Sequence, residues 1–484
     1  MPQGWQRPRD GQKEEEEPVE EARYEPHVRE VIKSRALLAD RRFASLWLSQ
    51  GLTQTAQNAV LFSLLVIVFR ITGSSIAGSV LVLCFILPSI PMGFVVGIVL
   101  DRTRKDRVLV AAALLRAAAC VLLFFFHQNE LTIYAISIGL ATVGLFFNPA
   151  VISLMPSVVS KERLVPANSL YNFTLTASQL VGMVFLAPIL LKSVGPDGMF
   201  ITATIMFLTA AWLASTLNIV HETREHMPQG AIFGGIPTDL RETINVLASD
   251  RYSLLALGQL ITSSTLVLLF AMLIPRYMHD VLEVPPDNAA IVFAPTGIGA
   301  LVGQRFILWF TKRGKGRVVV IGLTGIAVCL ALLALVKPLA ELTQAAPGTE
   351  EVVRQLRFSL LQLLTMAIAG PMGFFYALLN APAQTVLHER VPPEMRGRIF
   401  ATEVVSVNFI SLLPLLVVGA VTDLIKVPAV LLLISAAVAA LAVASAAMAR
   451  REERGARGEP AEPLTERQGA ATRARGADPG DGED

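Results

Sequence analysis

The chain is poor in charge. Only 17% of its 484 residues are Asp, Glu, Lys or Arg, 53% are hydrophobic, and the mean hydropathy is +0.56. A water-soluble chain of this length would carry more charge. The formal net charge of +2 is too near neutral to imply nucleic acid as a partner. Cysteine is scarce as well: Cys84, Cys120 and Cys329 all fall inside apolar runs. They read as small buried hydrophobes and exclude a disulfide framework or a zinc site. No phosphate-binding P-loop string occurs, which excludes an ATPase of that type. His221 and His226 lie in a polar loop without metalloprotease spacing, and Gly297 and Gly299 lack the third glycine and strand context of a dinucleotide site. No catalytic constellation remains. The expectation is a protein that is not an enzyme and takes no metal and no cofactor.

What the chain does have is a series of apolar runs close to ~20 residues long, the length of a bilayer span. A spanning chain must satisfy its own backbone, so helices are the default. Twelve spans are expected, at residues 43–69, 76–100, 108–126, 131–154, 166–191, 199–220, 252–276, 289–310, 318–336, 356–383, 399–421 and 427–448. They divide six and six. The domains are an N-terminal tail 1–42, a bundle 43–220, a loop 221–250, a second bundle 251–449 and a C-terminal tail 450–484. The polar tails are expected to be disordered. The first apolar run starts too late and is too long for a signal peptide.

Basic residues gather in alternate short loops: Arg102, Arg104, Lys105 and Arg107; Lys161 and Arg163; Lys312 to Arg317; Arg390, Arg396 and Arg398. The other loops carry residues such as Ser74, Glu130, Glu283 and Glu350. The positive-inside bias then puts both termini in the cytoplasm and the protein in the cytoplasmic membrane. The halves also repeat. Asp40-Arg41 leading to Gln50 recurs as Asp250-Arg251 leading to Gln259. Gly93 and Gly97 recur as Gly299 and Gly303, and Asn148-Pro149 recurs as Asn380-Ala381-Pro382. Glycines at four-residue spacing let helices approach closely.

Between the second and third runs stands Gly97-Ile98-Val99-Leu100-Asp101-Arg102-Thr103-Arg104-Lys105-Asp106-Arg107. It resembles the signature loop of the major facilitator superfamily. Gly97, Asp101, Arg102 and Arg107 match; Arg104 and Asp106 stand where the signature has a glycine and a basic residue. Asn148-Pro149-Ala150, Pro156, Glu162-Arg163-Leu164 and Ala167-Asn168 resemble a multidrug, macrolide and siderophore-exporter branch. So does Val391-Pro392-Pro393-Glu394-Met395-Arg396-Gly397-Arg398. The resemblance implies an all-α fold of two pseudo-symmetric six-helix bundles with a substrate site at midplane between them. It implies a secondary transporter that exports an amphiphilic small molecule by rocking of the bundles. It also implies a gate in which Asp101 docks against the start of the eleventh helix. The gating set is Gly97, Asp101, Arg102, Arg104, Lys105, Arg107 and Glu403, with Arg102 facing Glu403. Importers, lysophospholipid-type facilitators and a non-transporting receptor or scaffold remain the alternatives.

In that fold the first, fourth, seventh and tenth helices line the cavity. The polar candidates are Gln54 and Gln57; Thr142; Gln259 and Thr262; Gln362, Thr365 and Tyr376. In the fifth helix Asn168, Asn172, Thr176 and Gln179 share a face. Each is as readily an interhelical hydrogen bond. Arg116 follows Arg107 by nine residues, which at ~1.5 Å per residue sets it about 13 Å into the bilayer. A guanidinium at that depth is costly and faces a bundle interior or a wet cavity. It is either a ligand-binding cation or a structural tie. One deep cation among neutral polar groups suits a neutral, zwitterionic or anionic amphiphile. The expected partners are the lipid bilayer and a small-molecule substrate, with a proton as the coupling ion to test and a monomer as the oligomeric state.

Overall fold

A computed structural model describes residues 39–160, 163–217, 251–311, 315–344, 358–390 and 396–455. Most of the expected tails and the loop 221–250 lie outside the described residues. The described chain is helical, with no strand. The twelve spans are α1 Arg41–Thr72; α2, in two pieces, Ser75–Ile86 and Ser89–Arg102; α3 Lys105–Phe126; α4 Glu130–Val158; α5, from Leu164 to Ser193; and α6 Gly195–Ser215. The second six are α7 Arg251–Asp280, α8 Ala289–Thr311, α9 Lys315–Ala334, α10 Leu360–Arg390, α11 Arg396–Leu424 and α12 Val427–Gly455. Ten described helices are long and apolar enough to cross a membrane.

Local chemistry sets the ends. The Asp40 carboxylate accepts from the backbone of Arg42 at 2.9 Å and so starts α1. Gly73, at φ 65°, ends it in the left-handed conformation that glycine takes without a Cβ penalty. Asn129 caps α4 through Leu131 N–H at 2.9 Å. Ser359 and Gln362 form a capping box on α10: Gln362 N–H donates to the Ser359 hydroxyl at 3.2 Å, and Ser359 N–H donates back to Gln362 Oε1 at 2.9 Å.

The structure departs from the sequence expectation in four places. α2 is broken at Leu87–Pro88, where proline supplies no N–H to continue the helix. α5 holds a π-helical segment, Leu180–Leu186, flanked by α-helix. A short helix, Val336–Gln344, follows α9, and Lys337 on it meets Glu283 at 3.0 Å. α12 continues to Gly455, past the residue at which the polar tail was expected to begin.

The burial pattern is that of a membrane protein. Large apolar side chains cover the outside: Phe125, Leu131, Trp212 and Leu413 are all more than 60% exposed. Within water such a surface would aggregate; within lipid it is solvated. Small residues set the closest approaches. A Cβ on Gly299 of α8 would collide with the Gly370 carbonyl of α10, and one on Gly373 with the Thr296 carbonyl. The α8–α10 pair therefore packs backbone to backbone.

Candidate functional site

Two features join the N-terminal bundle, α1–α6, to the C-terminal bundle, α7–α12. The first is a cavity of about 140 Å³ between them. Phe62 of α1 and Met183 of the π-helical segment form one wall; Phe270 of α7, Phe293 of α8, and Met372 and Tyr376 of α10 form the other. Gln179 enters from the α-helical end just before the π segment. The segment itself is pinned by Gly182, where a Cβ would lie 2.5 Å from the Thr55 carbonyl oxygen and 3.1 Å from the Ala59 nitrogen of α1. The wider π turn redirects the side chains that follow and turns Met183 and Val184 toward the cavity.

Thr296 adds one unusual group. Threonines in these helices generally donate to the carbonyl one turn back: Thr262 to Gly258 at 2.8 Å, Thr265 to Ile261 at 2.7 Å, Thr365 to Leu361 at 2.8 Å. Thr296 lines the cavity, yet its buried hydroxyl has no hydrogen-bond partner. No described residue in the cavity wall carries a charge.

The second feature is a latch at the face where α1 ends and α2 begins. Asp423, at the end of α11, accepts from Ser75 N–H at 2.8 Å, Ile76 N–H at 3.1 Å and the Ser74 hydroxyl at 2.5 Å. These donors are the N-terminus of α2, in the other bundle. A carboxylate there is stabilised by the unpaired amides and the helix dipole. Arg276 of α7 meets Asp423 at 2.5 Å and Asp280 at 2.8 Å, and donates to the Gly73 carbonyl at 3.3 Å. Deeper in, the Ser79 hydroxyl donates to the Leu415 carbonyl at 2.8 Å, and at the α2 break Asn408 donates to the Ser89 hydroxyl at 3.0 Å.

Of the expected cavity residues, Tyr376 lies in the wall, where Asn380 donates to its hydroxyl at 3.3 Å. Gln57 and Arg116 are joined to each other instead. Arg116 is 2% exposed inside the N-terminal bundle and donates to Gln57 Oε1 at 2.6 Å. Its guanidinium lies 5.7 Å from the ring centroids of both Phe147 and Phe207, and no described carboxylate pairs with it. The Gln54 carbonyl accepts from Asn58 at 2.9 Å. Thr142 donates to Ile138 O, Gln362 caps α10, and Thr365 meets the Tyr277 hydroxyl at 3.3 Å. Gln259 is buried, and Thr176 is half-buried on α5. The side chain of Asn172 lies outside the described residues, as do those of Gly97, Asp101, Arg102 and Glu403 in the gating set. Arg104 pairs with Asp106 at 2.8 Å, an exposed contact that raises its pKa. Lys105 opens α3, and Arg107 is exposed. Thr296, Met183 and the latch pair Arg276–Asp423 were not singled out in the sequence. The only signals there were a lone hydroxyl in an apolar run and two charges at span ends.

Two six-helix bundles, apolar outside and joined around an inter-bundle cavity, define the class of two-bundle membrane carriers. A family model described as Major Facilitator Superfamily matches residues 46–347, and the chain belongs to that family. No curated protein matches its sequence significantly. Among solved structures it is similar to the nucleoside transporter NupG, at 14% identity and a TM-score of 0.61, over 84% of this chain and 98% of that one. It is also similar to the POT family transporter PepTSo, at 13% identity and a TM-score of 0.62, over 86% and 99%. An auto-inhibited POT family peptide transporter matches at 12% identity and a TM-score of 0.59, over 85% and 97%. At these identities the likeness is one of fold.

Proposed function

We propose that the chain is a secondary active transporter that exports an amphiphilic small molecule across the cytoplasmic membrane by alternating access. The observation that carries this reading is the inter-bundle cavity, with the Asp423–Arg276 latch above it on the face opposite the start of α1. A receptor or scaffold has no need of a charged lock that spans the two bundles at one mouth of a cavity. The basic loops support a cytoplasmic location for both termini, which makes the latched face the outer one.

The gate on the inner face follows from symmetry. α2 and α11 each end in a carboxylate, Asp101 and Asp423. Asp423 caps the start of α2. Asp101 occupies the corresponding place facing the start of α11, as the family resemblance implies. The two caps alternate: the outer one holds the inward-facing state, and the inner one, with Arg102 and Glu403, holds the outward-facing state.

Uptake into everted vesicles tests the reading, against a panel of small molecules with and without a pH gradient. Accumulation of at least one compound, abolished by loss of the gradient, supports a proton-coupled exporter. Uptake only into right-side-out vesicles would make the protein an importer. Orientation is checked separately with single cysteines at Leu424 and Ser160, both exposed. An impermeant maleimide added outside is expected to label Leu424→Cys and spare Ser160→Cys.

A further inference from the structure

We infer that the cavity selects an uncharged ligand, with an aromatic or alicyclic body and one hydrogen-bonding group that engages Thr296. The inference deepens the transporter reading and rests on it.

Charge comes first. An ion moved into an apolar site needs a partner, or it costs many times what a neutral polar group costs. The described wall offers none. Arg116, the deep cation that the sequence leaves as either a ligand group or a structural tie, is 2% exposed within the N-terminal bundle and is held there by Gln57 and two phenylalanine rings. It is absent from the cavity wall. An anionic group therefore finds no cation, and an ammonium finds no carboxylate.

The body comes next. Phe62, Phe270, Phe293 and Tyr376 present rings to the cavity, and Met183 and Met372 fill between them. Rings accept edge-to-face or offset stacking, and thioethers adapt to irregular shapes. A volume of about 140 Å³ is close to the ~150 Å³ of an engineered apolar cavity that takes up benzene. A single six-membered ring is the natural unit of size.

The polar group comes last. A buried hydroxyl without a partner is destabilising. Thr296 bears that penalty, while Thr262 and Thr265 of α7 and Thr365 of α10 do not. A ligand hydroxyl, carbonyl or amide at that point removes the penalty and so adds to the ligand's affinity. Gln179 supplies a second donor or acceptor at the cavity's edge.

The test uses three fluorinated probes with one body: 4-(trifluoromethyl)benzyl alcohol, 4-(trifluoromethyl)benzoate and 4-(trifluoromethyl)benzylammonium. Fluorine NMR titrates each against the full chain in lipid nanodiscs, with empty nanodiscs as the partition blank. The alcohol is expected to bind at least about a hundredfold more tightly than either ion. Thr296→Val is expected to weaken the alcohol roughly tenfold, and Thr296→Ser to keep it within about twofold. A charged probe that binds as well as the alcohol overturns the inference. So does an alcohol affinity unchanged in Thr296→Val, or the absence of binding by all three probes. Binding needs no transport direction. Charge-selective binding without vesicle uptake would sink the exporter reading and leave this one, and uptake of a charged substrate would do the reverse.

Discussion

At the scale of single residues, Arg116 carries the sharpest consequence. Its guanidinium is buried, hydrogen-bonded once to Gln57, and its Nε has no partner. Loss of the acceptor leaves a charge stranded, whereas loss of the charge removes the problem with it. Gln57→Leu is therefore expected to cost about 1.5–3 kcal/mol, the range for a hydrogen bond to a charged group, and Arg116→Met distinctly less. Detergent melting of the two purified variants checks the order; a larger loss in Arg116→Met would refute it. The sequence marks both residues, Gln57 as a cavity candidate and Arg116 as a deep cation. It could not tell which polar groups face one another within a bundle and which face the cavity. A helical periodicity fixes a face, but not what that face meets. That is why Tyr376 and Gln179 belong to the cavity wall while Gln362 turns out to cap a helix.

At the scale of elements, close packing governs. Gly182 brings α5 against the backbone of α1, with no room for a Cβ. Gly139 in α4 has nothing within 4 Å of where one would be. Gly182→Ala is expected to destabilise by ~1–3 kcal/mol through overpacking, and Gly139→Ala to be neutral or to stabilise by up to ~1 kcal/mol through helix propensity. Equal melting temperatures for the two would contradict the account. The twelve spans were legible because an apolar run of bilayer length has few other fates. The α2 break, the π segment of α5 and the helix at Val336–Gln344 were not. A proline within an apolar run ends a helix in one place and merely bends it in another: Pro88 breaks α2, yet Pro149 and Pro156 sit inside α4. Neighbouring helices decide which outcome applies. A π turn has no compositional mark at all.

At the scale of the whole molecule, the proposed transport cycle sets the balance between two states by the caps at the ends of α2 and α11. Asp101→Asn is expected to leave membrane insertion intact and to cut vesicle transport severely at equal protein level. Wild-type transport by that variant would remove Asp101 from the gate. Asp423→Asn should act in the opposite direction, because it weakens the outer cap. Asp423 and Arg276 have side chains 26% and 20% exposed, so solvent screens their pairing in part. The carboxylate's contacts with the α2 N-terminus are worth up to ~2 kcal/mol, a shift of about thirtyfold between states.

Alternating access behind an Asp423 latch is tested most directly by a distance across it. Spin labels at Ile71 and Leu424, both exposed and in opposite bundles, report that distance by electron–electron double resonance. The background has Cys84, Cys120 and Cys329 replaced by alanine. The latched protein is expected to give a distribution dominated by one short distance, and Asp423→Asn to transfer most of that population to a longer one. A distribution in Asp423→Asn that superimposes on that of the unmodified latch would contradict the account.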